Sequence, residues 1–314
     1  MACYHPLTAW YSKHVNDSGK RSLVFDVKNA IDDESIEVSC GQCIGCRLER
    51  SRQWAIRCVH EASLHEDNCF ITLTFNDDEL KKRENMWSLD VRDYQLFMKR
   101  LRKRFGNNIR FFHCGEYGNA ENTPDGVSVG RPHYHACLFN FDFPDKKLWK
   151  MVNGHRLYTS ESLAELWPYG FVTIGDVTFE SAAYVARYIM KKVNGDDAEQ
   201  HYTVHNPNTG EIHYNLKPEY TTMSRRPGIA AKWVEKYHSD VYPSDFITIN
   251  GKKMKPPKFY DRIMEQTRPF EFDDIKDKRC ENMEKNQSEN TPARLQVKEK
   301  LQSLRLDKLP RKEI

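Results

Sequence analysis

Hydrophobic and polar positions alternate along residues 68–75 (Asn-Cys-Phe-Ile-Thr-Leu-Thr-Phe), a run rich in β-branched and aromatic side chains, and this period of two predicts a strand. From Asp90 to Phe105 the period changes. Tyr94, Phe97, Met98, Leu101 and Phe105 recur at three- and four-residue steps, which predicts a helix capped by Asp90 and stopped by Gly106. Similar reasoning predicts a basic amphipathic helix over Arg47–His65, strands over Ile109–Tyr117 and His133–Phe141, and a short helix over Ser160–Trp167 ended by Pro168. A fourth strand over Phe171–Phe179 and a helix over Ser181–Val193 follow. This order, βαββαβ with a further helix, predicts an α+β fold: a central antiparallel sheet with helices on one face, the ferredoxin-like arrangement. Residues 194–220 read as a mobile loop or hairpin beside the last helix, and residues 222–228 (Thr-Met-Ser-Arg-Arg-Pro-Gly) as a compact basic turn or plain surface loop.

Composition divides the chain further. At 314 residues it can bury a full core in one elaborated domain or two. Beyond Phe272 there are no aromatics and charges of both signs dominate, as in a solvated helix or a disordered tail. The expected divisions are residues 1–66, a cysteine-rich knuckle with a basic helix; residues 67–230, the core; and residues 231–314, a charged extension. The net charge of +3 hides local runs at Lys99-Arg100-Leu101-Arg102-Lys103-Arg104 and Lys252-Lys253-Met254-Lys255, which attract polyanions or simply solvate a face. Nothing reads as a transmembrane helix or a secretory signal, so a cytosolic location is expected. No Gly-x-x-x-x-Gly-Lys-Ser/Thr element occurs, so no nucleotide-driven helicase is evident.

Nine cysteines, an odd number, argue against a disulfide framework in such a chain. Cys40, Cys43 and Cys46 form two successive Cys-x-x-Cys steps with interleaved glycine, and Cys3 offers a fourth thiolate for a tetrahedral structural zinc. An iron–sulfur cluster and plain reduced thiols are the other readings. Cys58, Cys69, Cys114 and Cys137 sit among apolar residues, where cysteine acts as a small hydrophobe.

The chemistry concentrates in two later blocks. His133 and His135 share one face of a strand and can offer two imidazoles to one divalent ion. Glu116, on the preceding strand, can supply an oxygen ligand, and such a set leaves positions open on Mg²⁺ or Mn²⁺ for a phosphate. His113 falls on the opposite face and is excluded. Tyr184 and Tyr188 lie one helical turn apart, with Lys191 three residues on. A metal beside paired phenols points to phosphodiester cleavage through a tyrosyl intermediate. Each residue alone has an ordinary structural explanation; the combination carries the signal.

The blocks Glu116-Tyr-Gly, Arg131-Pro-His-Tyr-His135 and Tyr184-x-x-x-Tyr188-x-x-Lys191, following the Thr-Leu-Thr-Phe strand, resemble the three motifs of HUH rolling-circle replication initiators. The segment Cys3-Tyr-His-Pro6 and the block Cys40-Gly-Gln-Cys-Ile-Gly-Cys-Arg47, with Trp54 and Arg57, look like the initiators of small single-stranded DNA phages, the Microviridae, especially the gokushovirus group. The resemblance covers about residues 1–230. It implies a metal held by Glu116, His133 and His135, nicking of origin DNA by one tyrosine, a 5′-phosphotyrosyl intermediate and a 3′-hydroxyl primer. The second tyrosine then acts after one round of displacement, and Lys191, with Arg187 in a matching position, steadies the phosphate. Single-stranded and supercoiled phage DNA, a host helicase and a host DNA polymerase are the implied partners, in the cytoplasm of a bacterial host. Arg47, Arg50, Arg52, Trp54 and Arg57, the cations Lys99, Arg100, Arg102, Lys103 and Arg104, and Arg131 and Arg187 are the candidate DNA contacts. A plasmid initiator or mobilisation relaxase uses the same chemistry. A non-catalytic, zinc-dependent single-strand binding protein is the competitor from another class.

Overall fold

The structure is a computed structural model that describes residues 3–307 except 18, 85, 119–129, 153, 188–191, 194, 196 and 207. It divides into two compact units, one of residues up to 50 with those from 276 onward, the other of residues 51–275. In the first unit, β1 (Leu7–Val15) pairs antiparallel with both β2 (Arg21–Val24) and β3 (Ile36–Val38). Hydrophobic patterning gives no hint of these strands, because only Ala9 and Ser12 of β1 are buried and no alternation develops. Helix α1 (Ile44–Ala62) begins in this unit and ends in the other, as one unbroken run.

The second unit holds β4 (Asn68–Thr74), α2 (Asp77–Lys81), α3 (Val91–Phe105), β5 (Arg110–Tyr117), β6 (Pro132–Phe139) and the hairpin β7 (Lys147–Val152) and β8 (His155–Thr159). Next come α4 (Glu161–Leu166), β9 (Val172–Gly175), α5 (Phe179–Arg187), α6 (Asp197–Tyr202), the hairpin β10 (Thr203–His205) and β11 (Ile212–Asn215), and β12 (Tyr220–Met223). Last are α7 (Ala231–Tyr237), β13 (Ile247–Ile249), β14 (Lys252–Met254) and α8 (Lys258–Thr267), then α9 (Pro269–Lys285), which runs into the first unit, where α10 (Pro292–Asp307) lies. Among the described residues no helix is long and apolar enough to cross a membrane.

An antiparallel sheet of seven strands, ordered β12-β5-β6-β4-β9-β8-β7, forms the centre. The strand period sorts its side chains to two faces. On one, Ile71, Leu73, Tyr134 and Ala136 pack with Tyr94, Phe97 and Leu101 of α3 and Leu163 and Leu166 of α4. On the other, Phe70, Phe112, Cys114, Cys137 and Phe139 lie beneath Ala55 and Cys58 of α1 and Ala182 and Val185 of α5. Helices thus cover both faces, where the sequence led us to expect one. The clue is in β5 and β6, whose last six residues are all buried instead of alternating. The hairpin β7–β8 was also not foreseen, since β7 is exposed over five of its six residues. The expected fourth strand is short: β9 stops at Gly175, because Thr178 and Ser181 bond each other's amides (2.8 and 3.1 Å) and start α5.

Residues 231–275 bury Val234, Val241, Tyr260, Met264 and Phe272 around Ile56 of α1. The compact units therefore divide at 50 and 275, where composition suggests 66 and 230. On α3, Asp90 accepts from the Arg92 amide at 2.9 Å and satisfies one of the free N–H groups of the first turn. Asp90→Ala is expected to cost about 1 kcal/mol, read as a lower urea midpoint at unchanged slope.

Candidate functional site

Antiparallel pairing sets Glu116 of β5 directly opposite His133 of β6 and Cys114 opposite His135. Opposed residues share a face, so Glu116, His133 and His135 all project toward the side covered by α1 and α5. Glu116 Oε1 lies 2.6 Å from His133 Nε2 and 2.9 Å from His135 Nε2. Glu116 and His135 are almost fully buried, whereas the His133 side chain keeps 15% exposure and is the open side of the group.

The second nitrogens fix the proton positions. His133 Nδ1 is 3.0 Å from the Arg131 carbonyl, which can only accept, so Nδ1 carries a proton and Nε2 of the neutral ring presents its lone pair. His135 Nδ1 meets the Thr72 hydroxyl at 2.9 Å, across the β4–β6 register, and the same tautomer follows if the hydroxyl accepts. Two ring lone pairs and a carboxylate oxygen then converge within 3 Å, an electron-rich point that needs a cation, either protons or a metal. Burial pushes the Glu116 carboxyl up, but the charge and hydrogen bonds of His133 and His135 outweigh it and hold the group at about 2. Adjacent ligands at about 2.1 Å from an octahedral ion stand about 3 Å apart, so the set fits such a metal. Thr72 and the Arg131 carbonyl escaped the sequence reading; the signal available was the strand period, which puts Thr72 on the histidine face.

On α5, the Tyr184 ring meets the His135 ring edge-on, 5.1 Å between centres, and Phe70 at 6.4 Å. Ser51 of α1 ties to this helix through the Ala183 carbonyl at 3.1 Å. Tyr188 and Lys191 lie outside the described residues, and Arg187 closes α5. His113 faces the other way, stacked 3.4 Å from Tyr94 and bonded to Thr222.

A second group lies in the first unit. Cys3, Cys40, Cys43 and Cys46 bring four sulfurs together, with Sγ–Sγ distances of 3.6 Å (Cys3–Cys40), 3.9 Å (Cys3–Cys43) and 4.0 Å (Cys40–Cys46). A tetrahedron with metal–sulfur bonds of about 2.3 Å has edges of about 3.8 Å, and a disulfide is far shorter. Gly41, at φ 76°, supplies the left-handed turn between the first two thiols. Amides of Tyr4, Cys40 and Cys43 point at sulfurs from 3.3 Å, the environment of thiolates. Burial raises the Cys43 thiol, yet these amide and thiol hydrogen bonds outweigh it and bring the group to about 6.

Several candidate DNA contacts are engaged inside the protein instead. Trp54 stacks on Phe112 at 4.7 Å, and the Arg57 guanidinium is sandwiched between Trp54 (4.0 Å) and Phe259 (3.8 Å) while donating twice to the Ile229 carbonyl. Burial lowers Arg57 to about 10. Arg52 donates to the Lys255 carbonyl and Arg50 to that of Gly41. In the α3 run, Arg100 and Arg102 bond the carbonyls of Leu166 and Ile109, and Arg104 pairs with Glu165. Lys99 and Lys103 are exposed, on the helix that covers the sheet face away from Glu116. Arg131 pairs with Asp77 and bonds the Phe75 carbonyl, and Arg47 is half-buried.

Residues 68–193, the stretch from β4 past α5, match a family described as Replication-associated protein, ORF2 type. The chain is 32% identical over 282 residues to Replication-associated protein VP4 of Bdellovibrio phage phiMH2K, covering 86% of this chain and 79% of that protein. It is 33% identical over 265 residues to Replication-associated protein ORF2 of Spiroplasma virus 4, covering 80% and 75%. The chain belongs to the phage replication-associated (Rep) protein family. A further Rep relative, ORF4 of Chlamydia phage 1, is 32% identical over 167 residues, half of this chain and 39% of that protein. No solved structure matches this Rep chain. The family match spans Glu116, His133, His135 and Tyr184, so the carboxylate–histidine group and the helix against it both fall in the part this Rep protein shares with its relatives.

Proposed function

We propose that this Rep protein is a metal-dependent endonuclease and strand-joining enzyme of the HUH, two-tyrosine type that starts rolling-circle replication of a small single-stranded DNA phage of the Microviridae, gokushovirus-like in its cysteine block. The observation that carries the reading is the convergence of Glu116, His133 and His135 on one point of the sheet, with the Tyr184 ring against His135. Bound there, Mg²⁺ or Mn²⁺ would supply Lewis-acid polarisation of the scissile phosphate. The protein's own part is positional. Arg131 and Thr72 fix the ring tautomers, the buried Glu116 holds negative charge at the site, and α5 presents Tyr184 to it.

The phenol loses its proton to water and its oxygen forms a bond to phosphorus as the P–O3′ bond breaks. The O3′ atom leaves with the bonding pair, takes up a proton and becomes the 3′-hydroxyl that primes a host polymerase, with strand separation left to a host helicase. Tyr188 serves as the second nucleophile, and Lys191 and Arg187 steady the phosphate. When the second tyrosine cuts the regenerated origin, the released 3′-hydroxyl attacks the first phosphotyrosine and closes a single-stranded circle. Lys99, Lys103 and Arg47 remain the DNA contacts we carry forward from the original set.

The test incubates the protein with labelled single-stranded origin fragments and Mn²⁺. A denaturation-resistant protein–DNA adduct, lost on chelation, is the expected product. Tight binding with no adduct under either Mg²⁺ or Mn²⁺ would sink the enzyme and leave a non-catalytic single-strand binder.

A further inference from the structure

At the end of β5 and β6 away from Glu116, a cavity of about 660 Å³ opens in the second unit. Arg102, Arg110, Arg225, Arg226 and Lys232 line it, against one carboxylate among its lining residues, Glu61. We propose that this cavity is a second phosphodiester-binding site, which holds the DNA strand at a distance from the catalytic group. The proposal rests on the reading that the protein acts on DNA.

The lining cations fall into two sets. Arg110 and Arg102 are structural: Arg110 pairs with buried Glu61 and donates to the Pro227 carbonyl at 2.9 Å, while Glu61 also accepts from the Ala230 amide at 2.6 Å, and Arg102 donates to the Ile109 carbonyl at 2.8 Å. Arg225, Arg226 and Lys232 are exposed, and among the described residues no carboxylate pairs with them. Their turn is nonetheless fixed. Ser224 exchanges hydrogen bonds with the Phe111 backbone (3.0 and 3.1 Å), and Arg110 grips Pro227 just beyond, so two guanidinium groups are presented from a stretch pinned at both ends. Two buried donors in the wall, Arg102 Nε and His65 Nε2, have no hydrogen-bond partner, His65 standing 3.7 Å from Glu61. Unpaired cations and unanswered donors around one open space suit an anionic ligand rich in oxygen. The volume lies in the roughly 300–1,000 Å³ range of whole small-molecule sites, more than a lone phosphate needs.

Geometry favours a strand of DNA over a free nucleotide. Arg110 and Glu116 lie on the same strand and the same face, six residues apart, or about 20 Å at roughly 3.3–3.4 Å per residue. Edge strand β12 runs between them, with Tyr220 opposite Gly115 at the catalytic end and Met223 opposite Phe112 next to the basic turn. A backbone following this edge meets both ends of β5.

The test compares the wild type with Arg225→Glu/Arg226→Glu, and separately with Lys232→Glu, on two single-stranded substrates: one too short to span about 20 Å beyond the cut, one several times longer. Thermal melting checks each variant's fold. The double variant is expected to bind the long substrate more than tenfold more weakly, with the salt slope of log K reduced by about 1.4 for two lost phosphate contacts. Its binding and adduct formation on the short substrate should be unchanged, and Lys232→Glu should show a smaller effect of the same kind. Unchanged affinity and slope on the long substrate overturns the proposal, as does an equal loss on both. A deoxynucleoside triphosphate that binds the wild type and not the double variant, with DNA affinity untouched, overturns it in favour of a free-nucleotide site. If the wild type binds DNA and forms no adduct, the catalytic reading fails and the long-substrate comparison still decides this one.

Discussion

Tyr184→Phe combined with Tyr188→Phe is expected to abolish the covalent protein–DNA adduct, while either substitution alone leaves one. Each change removes a single oxygen. The Tyr184 ring keeps its edge contacts to His135 and Phe70 in the cluster beneath α5, so the fold should be retained and the loss is chemical. Without a nucleophile only binding and charge stabilisation remain, and adduct formation should drop by about 10⁴-fold or more. A single variant still has one phenol to attack, but it lacks the second nucleophile needed to cut the regenerated origin. It should therefore accumulate adduct without releasing closed circles. The measurement is gel separation of labelled adduct and circular product for the wild type, both single variants and the pair. Adduct in the double variant would place the nucleophile elsewhere; loss of circles in neither single variant would show that one tyrosine does both cuts.

The parts of this site legible in the sequence are those set by strand period and short spacing. Glu116, His133 and His135 meet because β5 and β6 are adjacent and antiparallel, and in such a pair alternate residues of both strands face one way. Cys40, Cys43 and Cys46 are held by a turn of seven residues, and Cys3, 37 residues before Cys40, closes on them to 3.6 Å. Periodicity also gave α3 its cap and its buried stripe. It failed where burial is one-sided and weak, as in β1 and β7, and where both faces are covered, as in β5 and β6. Charge was the poorest guide. An arginine reads the same in sequence whether it meets a phosphate or, like Arg57, a backbone carbonyl between two aromatic rings. The basic turn at Arg225 and Arg226 gains its interest only from Arg110 and Ser224, which pin it from another strand or its own end.

Removal of a zinc ion from the cysteine group should unfold the unit that contains it. Four sulfurs gathered at 3.6 to 4.0 Å, with amides turned toward them, are too far apart for disulfides and too closely packed to be stable as four thiolates without a cation. The surrounding unit has little else to hold it: β1 buries Ala9 and Ser12, while Leu7, Tyr11 and Val15 remain exposed. Structural zinc sites of this kind contribute about 10–16 kcal/mol at neutral pH, comparable to the roughly 5–15 kcal/mol that holds a whole domain. Metal analysis should find one zinc per chain, and Cys40→Ser or Cys43→Ser should lose it. A strong chelator should then raise amide exchange across β1–β3 while the seven-stranded sheet, with its own core on both faces, stays protected. A zinc-free protein with β1–β3 still protected sinks the assignment, and stoichiometric iron with a visible chromophore replaces it with an iron–sulfur cluster.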